Sequence, residues 1–194
     1  SAPRILAAVK AIGSGPSDVT RLLLTHAHYD HAGGAAAVAA ATGREVTVHA
    51  DDAAYVRSGT NPPRDPSFAI GRLLSRLSVQ RFTAVPVAEE VHDGQLLPIA
   101  GGLRVIHTPG HTPGHAAYLH EPTGTLVTGD SLVNAFGLRW PPKMFCSEFQ
   151  LTQQTAVRLT EIDYETAAFT HGPEDRSRPR ATIRTFLERE GLLT

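Results

Sequence analysis

The chain has 194 residues, 41% of them apolar, which is enough for a sizeable core in a single domain spanning residues 1–194. Lys and Arg total 18 against 19 Asp and Glu, a formal net charge of −1 with no block of one sign, which speaks against partners held by bulk charge such as nucleic acid or a membrane surface. Cys146 is the only cysteine, so no internal disulfide framework exists; no apolar run of about 18 residues and no leader pattern is visible, and a soluble cytoplasmic protein is expected.

In chain order, strand-like and helix-like segments alternate, an α/β pattern. "PRILAAVKAIG" (3–13) places Ile5, Ala8, Val9 and Ile12 on one helical face and ends at Gly13. "VTRLLLT" (19–25) reads as a short buried strand, and "DHAGGAAAVAAATG" (30–43) as a helix opening at Asp30 and closing at Gly43. "EVTVHA" (45–50) is a second strand, followed by a short helix near 51–57, a Pro-rich loop "SGTNPPRDP" (58–66) and a helix by periodicity over 67–77. From 84 to 129 short β-rich pieces separated by "HDG", "AGG" and "EPTG" predict hairpins. Ser147 followed by Gln150 is a capping-box pattern that opens a helix over 147–162; "TAAFTHG" (166–172) is a last strand and "RPRATIRTFLERE" (178–190) a last helix.

Chemistry gathers where these strands end. His26, His28, Asp30 and His31 fall within six positions on a strand-to-helix turn. Residues two apart in extended chain point the same way, so His26 and His28 can share one metal while Asp30 and His31 face a neighbouring position. Further on come "HTPGHTPGH" (107–115), where Gly and Pro hold histidines on a loop between strands, the acid of "TGDS" (128–131) and the histidine of "THG" (170–172). Four strand ends thus carry metal-ligand side chains, in the place where ligand sites of α/β proteins gather. Isolated histidines are usually surface or satisfied core residues, and His49, His92, His107 and His120 are read that way. Asp130 taken alone would read as a turn former.

In order and spacing, "RLLLTHAHYDHAGG", "VIHTPGHTPGH", "LVTGD" and "FTHG" resemble the metallo-β-lactamase-fold hydrolases. The resemblance implies an αββα sandwich with the site at one edge, and a dinuclear centre. His26, His28 and His111 would hold one metal, Asp30, His31 and His171 the second, and Asp130 would bridge both, with Asp30 and Asp130 as the catalytic carboxylates. His115 would orient a ligand rather than bind metal. Five imidazoles and two carboxylates without a thiolate suit two Zn2+ per chain, although Fe, Mn or Co fit the same donors. A shared hydroxide of lowered pKa would attack a carbonyl carbon or phosphorus.

Lactamases of this family generally lack the bridging carboxylate, so Asp130 ranks β-lactams low. Glyoxalase II-like members add a C-terminal helical domain that grips glutathione, whereas one predicted helix follows His171 here. A small ester, lactone or thioester is the expected substrate; a mononuclear iron persulfide dioxygenase is the alternative of a different class. Family members ordinarily begin with β-strands ahead of the first helix, and this chain starts at that helix, "SAPRILAAVK", so it is read as lacking the first N-terminal strands. A sheet edge left open in this way would invite pairing with a second copy, a homodimer. "FGLRWPPKMF" (136–145) reads equally as a substrate wall or as core, and Cys146 as a buried small hydrophobe.

Overall fold

The computed structural model describes residues 1–67 and 81–193. Ala2–Ala11 forms α1, which lies against α3 (Ala35–Thr42). Between them run β1 (Leu22–Leu23) and α2 (Tyr29–Ala32). The helix expected over 30–43 is therefore two helices, broken at Gly33–Gly34. Then follow β2 (Val46–His49), α4 (Ala50–Ser58) and β3 (Val87–Val91); the helix expected over 67–77 lies, from residue 68 on, outside the described residues.

Sheet one has the order β1-β2-β3 and is parallel throughout, with Leu22 opposite Val46 and Val46 opposite Val87. Here the expectation of hairpins from 84 onward fails for β3. A parallel neighbour needs a long crossover, and α4 with the chain after it supplies one. The rest of the β-rich half behaves as expected: β4 (Leu96–Leu97), β5 (Leu103–His107), β6 (Ala116–His120) and β7 (Thr125–Val127) form an antiparallel meander, which β10 (Thr166–Ala168) joins in parallel beside β7. A small hairpin, β8 (Val133–Asn134) with β9 (Leu138–Arg139), and the helices α5 (Phe149–Ala156) and α6 (Pro179–Arg189) complete the described α-helices and β-strands.

Strand alternation sorts side chains into layers. On β5 and β6, Val105, Ala116 and Tyr118 face a core shared with Val91 of the other sheet, while Ile106, Ala117 and Leu119 face a second core with Leu159, Ile183 and Leu187 from the helical side. Behind sheet one, Val46 and Val48 pack with Ala35, Ala53 and Val56. The order is helix, sheet, sheet, helix, as expected. Where the sheets meet, Ala116 N–H donates to Thr25 O (2.9 Å) and Tyr118 Oη–H to Leu24 O (2.9 Å), so the chain leaving β1 is bound to the start of β6.

The capping box at Ser147 does not form. Glu148 is the N-cap, and Ser147 Oγ–H donates to Pro63 O (2.6 Å) instead. Asp65, from the 58–66 loop, accepts from Phe149 N–H (3.2 Å), so a residue 84 positions away caps α5. A local sequence pattern cannot anticipate such a partner.

Candidate metal centre

All seven side chains expected to bind metal come together at these strand ends. His26 and His28 lie on the extended chain after β1, His28 being the N-cap of α2, and Asp30 and His31 sit in that helix. His111 comes from the loop between β5 and β6, Asp130 from the turn after β7, and His171 from the turn after β10. Their donor atoms form compact groups, each within 4.8 Å: His26 with His28 and His111, Asp30 with His31 and His171, and His26 with His31 and Asp130.

For two of the imidazoles, the nitrogen turned inward is set by what the other nitrogen does. His26 Nδ1 meets Thr25 Oγ1 (3.1 Å), which leaves its buried Nε2 without a hydrogen-bond partner. His111 Nδ1 faces Cys146 Sγ (3.6 Å), so its Nε2 meets His28 Nδ1 (3.0 Å). His31 Nε2 and His171 Nε2 approach to 3.3 Å. Asp130 Oδ2 stands 3.3 Å from His111 Nε2, 3.4 Å from His171 Nε2 and 3.5 Å from His31 Nε2, touching both groups. Asp30 Oδ2 lies 3.4 Å from His171 and 3.6 Å from His31.

Burial, reinforced by neighbouring histidines, holds His26 and His111 well below the ordinary imidazole pKa, and burial takes His28 down to about 4. Neutral imidazoles offer lone pairs rather than positive charge. Burial alone would raise Asp130, but hydrogen bonds from His171 and His31 hold it well below the usual carboxylate range. An orphaned buried Nε2 among converging neutral imidazoles and carboxylates is a donor set that fits divalent cations.

The surroundings fix these atoms. Both ring nitrogens of His115 are committed: its Nδ1 meets Thr108 Oγ1 (2.8 Å) and its Nε2 accepts Asp130 N–H (2.7 Å), so it orients Asp130. Gly129 has φ +55 and an added Cβ would stand 2.4 Å from His115 Nε2; at Gly172, φ +119, a Cβ would fall 1.9 Å from Asn134 O. Thr170 Oγ–H donates to Asp130 Oδ1.

One residue that sequence reading missed is Asp52. Fully buried in the first turn of α4, it accepts from Ala27 N–H (2.8 Å), Thr112 Oγ1–H (2.7 Å) and Gly114 N–H (2.7 Å), the residues interleaved with His26, His28, His111 and His115. Burial pushes its carboxyl above the ordinary value against those three donors. In sequence it reads as an acid complementing a helix N-terminus; its one distinguishing signal is that it follows a wholly buried strand.

A cavity of about 450 Å³ opens on the cluster. His28, Asp30, His111, Asp130 and His171 line it, together with Arg64 and Asn61 of the 58–66 loop and the apolar Val133, Pro142 and Phe145. "FGLRWPPKMF" thus divides: Pro142 and Phe145 face the cavity, while Trp140 packs on Phe186 with ring centroids 5.0 Å apart and donates to Glu190 Oε2. Tyr29 also lines it, half exposed. Cys146 is fully buried, and burial raises its thiol to about 12, which leaves it inert. His49 and His107 stack 3.8 Å apart with planes 13° from parallel beside Asp51; lone pairs in parallel planes do not converge, and His107 Nε2 is taken by Pro113 O.

Residues 1–171 match the family described as the Metallo-beta-lactamase superfamily. The chain is 34% identical over 131 residues to a hydroxyacylglutathione hydrolase of Rhodospirillum rubrum, a match covering 68% of this chain and 40% of that protein. It is 25% identical over 170 residues to the probable metallo-hydrolase YflN of Bacillus subtilis, covering 78% and 63% respectively. Among solved structures, the metallo-beta-lactamase family protein TTHA1429 of Thermus thermophilus superposes with a TM-score of 0.72 at 23% identity, over 97% of this chain and 66% of that one. The chain spans less than two thirds of the length of these two curated relatives.

Proposed function

Given that the chain belongs to the metallo-beta-lactamase superfamily, we propose that it is a metal-dependent hydrolase of small thioesters, esters or lactones. It holds two metal ions, zinc by preference, one on His26, His28 and His111 and the other on Asp30, His31 and His171, with Asp130 between them. The observation that carries this reading is the position of Asp130 Oδ2, 3.3–3.5 Å from nitrogens of both groups. The similarity to a hydroxyacylglutathione hydrolase supports a thioester within that substrate class.

When bound, such a cation pair supplies Lewis-acid polarisation of a substrate oxygen and a water whose pKa is lowered towards about 7. The chain's own residues orient and enclose. His115 and Thr170 grip Asp130 from its backbone and from Oδ1, which fixes the aim of Oδ2. Val133, Pro142 and Phe145 give the cavity an apolar wall that excludes water from the side where an acyl group would rest. The side-chain nucleophiles nearby are withdrawn: Ser131 is buried with its Oγ–H on Thr108 Oγ1, and Cys146 is held protonated.

The test is a panel of thioesters, esters, lactones, β-lactams and nucleic acid offered to zinc-, iron- and manganese-loaded protein. Hydrolysis of a thioester, ester or lactone, ahead of β-lactams and nucleic acid, is the expected result. Dioxygen uptake by a one-iron form as the only activity, or β-lactams as the best substrates, would overturn the reading.

A further inference from the structure

The cavity contains a cation that the metal-binding residues do not use. Arg64 is half-buried on the 58–66 loop, and its Nη1 is buried with no hydrogen-bond partner. Its guanidinium lies over the Phe145 ring, 5.8 Å from the centroid, a cation–π contact that holds the group at the cavity wall without satisfying its N–H donors. No carboxylate is in ion-pair contact with it among the described residues, although Arg21, Arg57, Arg104 and Arg158 all have one. Its neighbour Asp65 is committed elsewhere, Oδ1 to Ser67 and Oδ2 to Phe149 N–H. Residues 68–80 contain no Asp or Glu that could supply a partner. Of the acids lining the cavity, Asp30 and Asp130 are turned to the histidines.

A buried guanidinium N–H without an acceptor is costly, and the guanidinium fork pairs two N–H donors with two oxygens of a carboxylate or a phosphate better than any other side chain does. We propose that Arg64 anchors an oxyanion of the substrate, a carboxylate or a phosphate, remote from the scissile carbonyl. The preferred substrates are then anionic thioesters or esters, with the charged end on Arg64, the apolar stretch along Phe145 and Pro142, and the carbonyl at the histidine cluster. This assignment rests on the hydrolase reading for its catalytic test but not for its binding test.

The catalytic test compares a hemisuccinate thioester, its methyl-capped neutral counterpart and a phosphate-bearing thioester with the same thiol leaving group. Wild-type protein should prefer a charged substrate, and the choice between carboxylate and phosphate identifies the oxyanion. Arg64→Gln should raise KM for that substrate about 10- to 100-fold, the share of one charge-assisted hydrogen bond, leaving kcat and the capped substrate almost unchanged, the pattern of lost uniform binding. Arg64→Lys should recover part of the loss. The binding test measures monomethyl succinate and methyl phosphate by calorimetry on metal-free protein, where wild type should bind one of them and Arg64→Gln should not. Arg64-dependent binding without hydrolysis of any thioester, ester or lactone would keep the anion site and end the hydrolase reading. Hydrolysis with equal rates on charged and capped substrates in both proteins, or no anion binding that depends on Arg64, would overturn the anion site.

Discussion

Asp130→Asn should cut hydrolytic turnover about 100-fold or more and lower the metal content from two ions per chain towards one, in a protein that still folds. Asn preserves the volume, can keep Thr170 as a partner through its carbonyl oxygen, and leaves the backbone N–H on His115. What it removes is the negative charge at Oδ2, the atom that stands between His111 on one side and His31 and His171 on the other. An amide oriented to accept from Thr170 would also turn its NH2 towards those nitrogens, donating where a carboxylate would share electrons. The fold is retained because Asn keeps the volume and the contacts to His115 and Thr170, although it gives up the charge that His171 and His31 stabilise. The measurement is turnover on the best substrate, metal analysis and thermal unfolding, side by side. Unchanged turnover with two metals retained would remove Asp130 from the centre.

Asp52→Ala should have the largest effect on stability, about 3–5 kcal/mol, together with a metal affinity lowered about 10- to 100-fold. The truncation leaves Ala27 N–H, Gly114 N–H and the Thr112 hydroxyl buried without their common acceptor. Those donors belong to two loops far apart in sequence, one carrying His26 and His28 and the other His111, so the loss loosens both at once. Gly114 sets a related constraint, because a Cβ there would stand 2.4 Å from Asp52 N. Denaturant unfolding and zinc titration of the variant are the measurements. A midpoint and an affinity equal to wild type would show that Asp52 does not position the ligand loops.

That the seven candidate side chains gather was partly legible because some of the information is local. Two histidines at alternate positions after a strand, and an acid and a histidine opening a helix, are readable without knowing the fold, whereas His111, Asp130 and His171 join the set only through the order and spacing of the motifs that resemble the family. The support of the cluster was not legible. Asp52 meets Thr112 across 60 positions, Asp65 caps α5 across 84, and neither pairing leaves a mark in the residues on either side. The same reason defeated the Ser147 cap, where a tertiary partner, Pro63 O, outcompeted the local pattern. Strand β3 looked like one more hairpin strand because its composition says nothing of which edge it will join, whereas β4 to β7 are tied by short turns that leave little choice. Arg64 lies in the stretch read as a Pro-rich loop, and only the folded chain shows that it lines the cavity.

The most direct test of the central claim is diffraction from crystals of metal-loaded protein, with anomalous data collected above the metal's absorption edge. Two peaks are predicted in each chain, one bonded by His26 Nε2, His28 Nδ1 and His111 Nε2, the other by Asp30, His31 Nε2 and His171 Nε2, with Asp130 Oδ2 bonded to both. A single peak with Asp130 unbonded, or metal held by other residues, would contradict it.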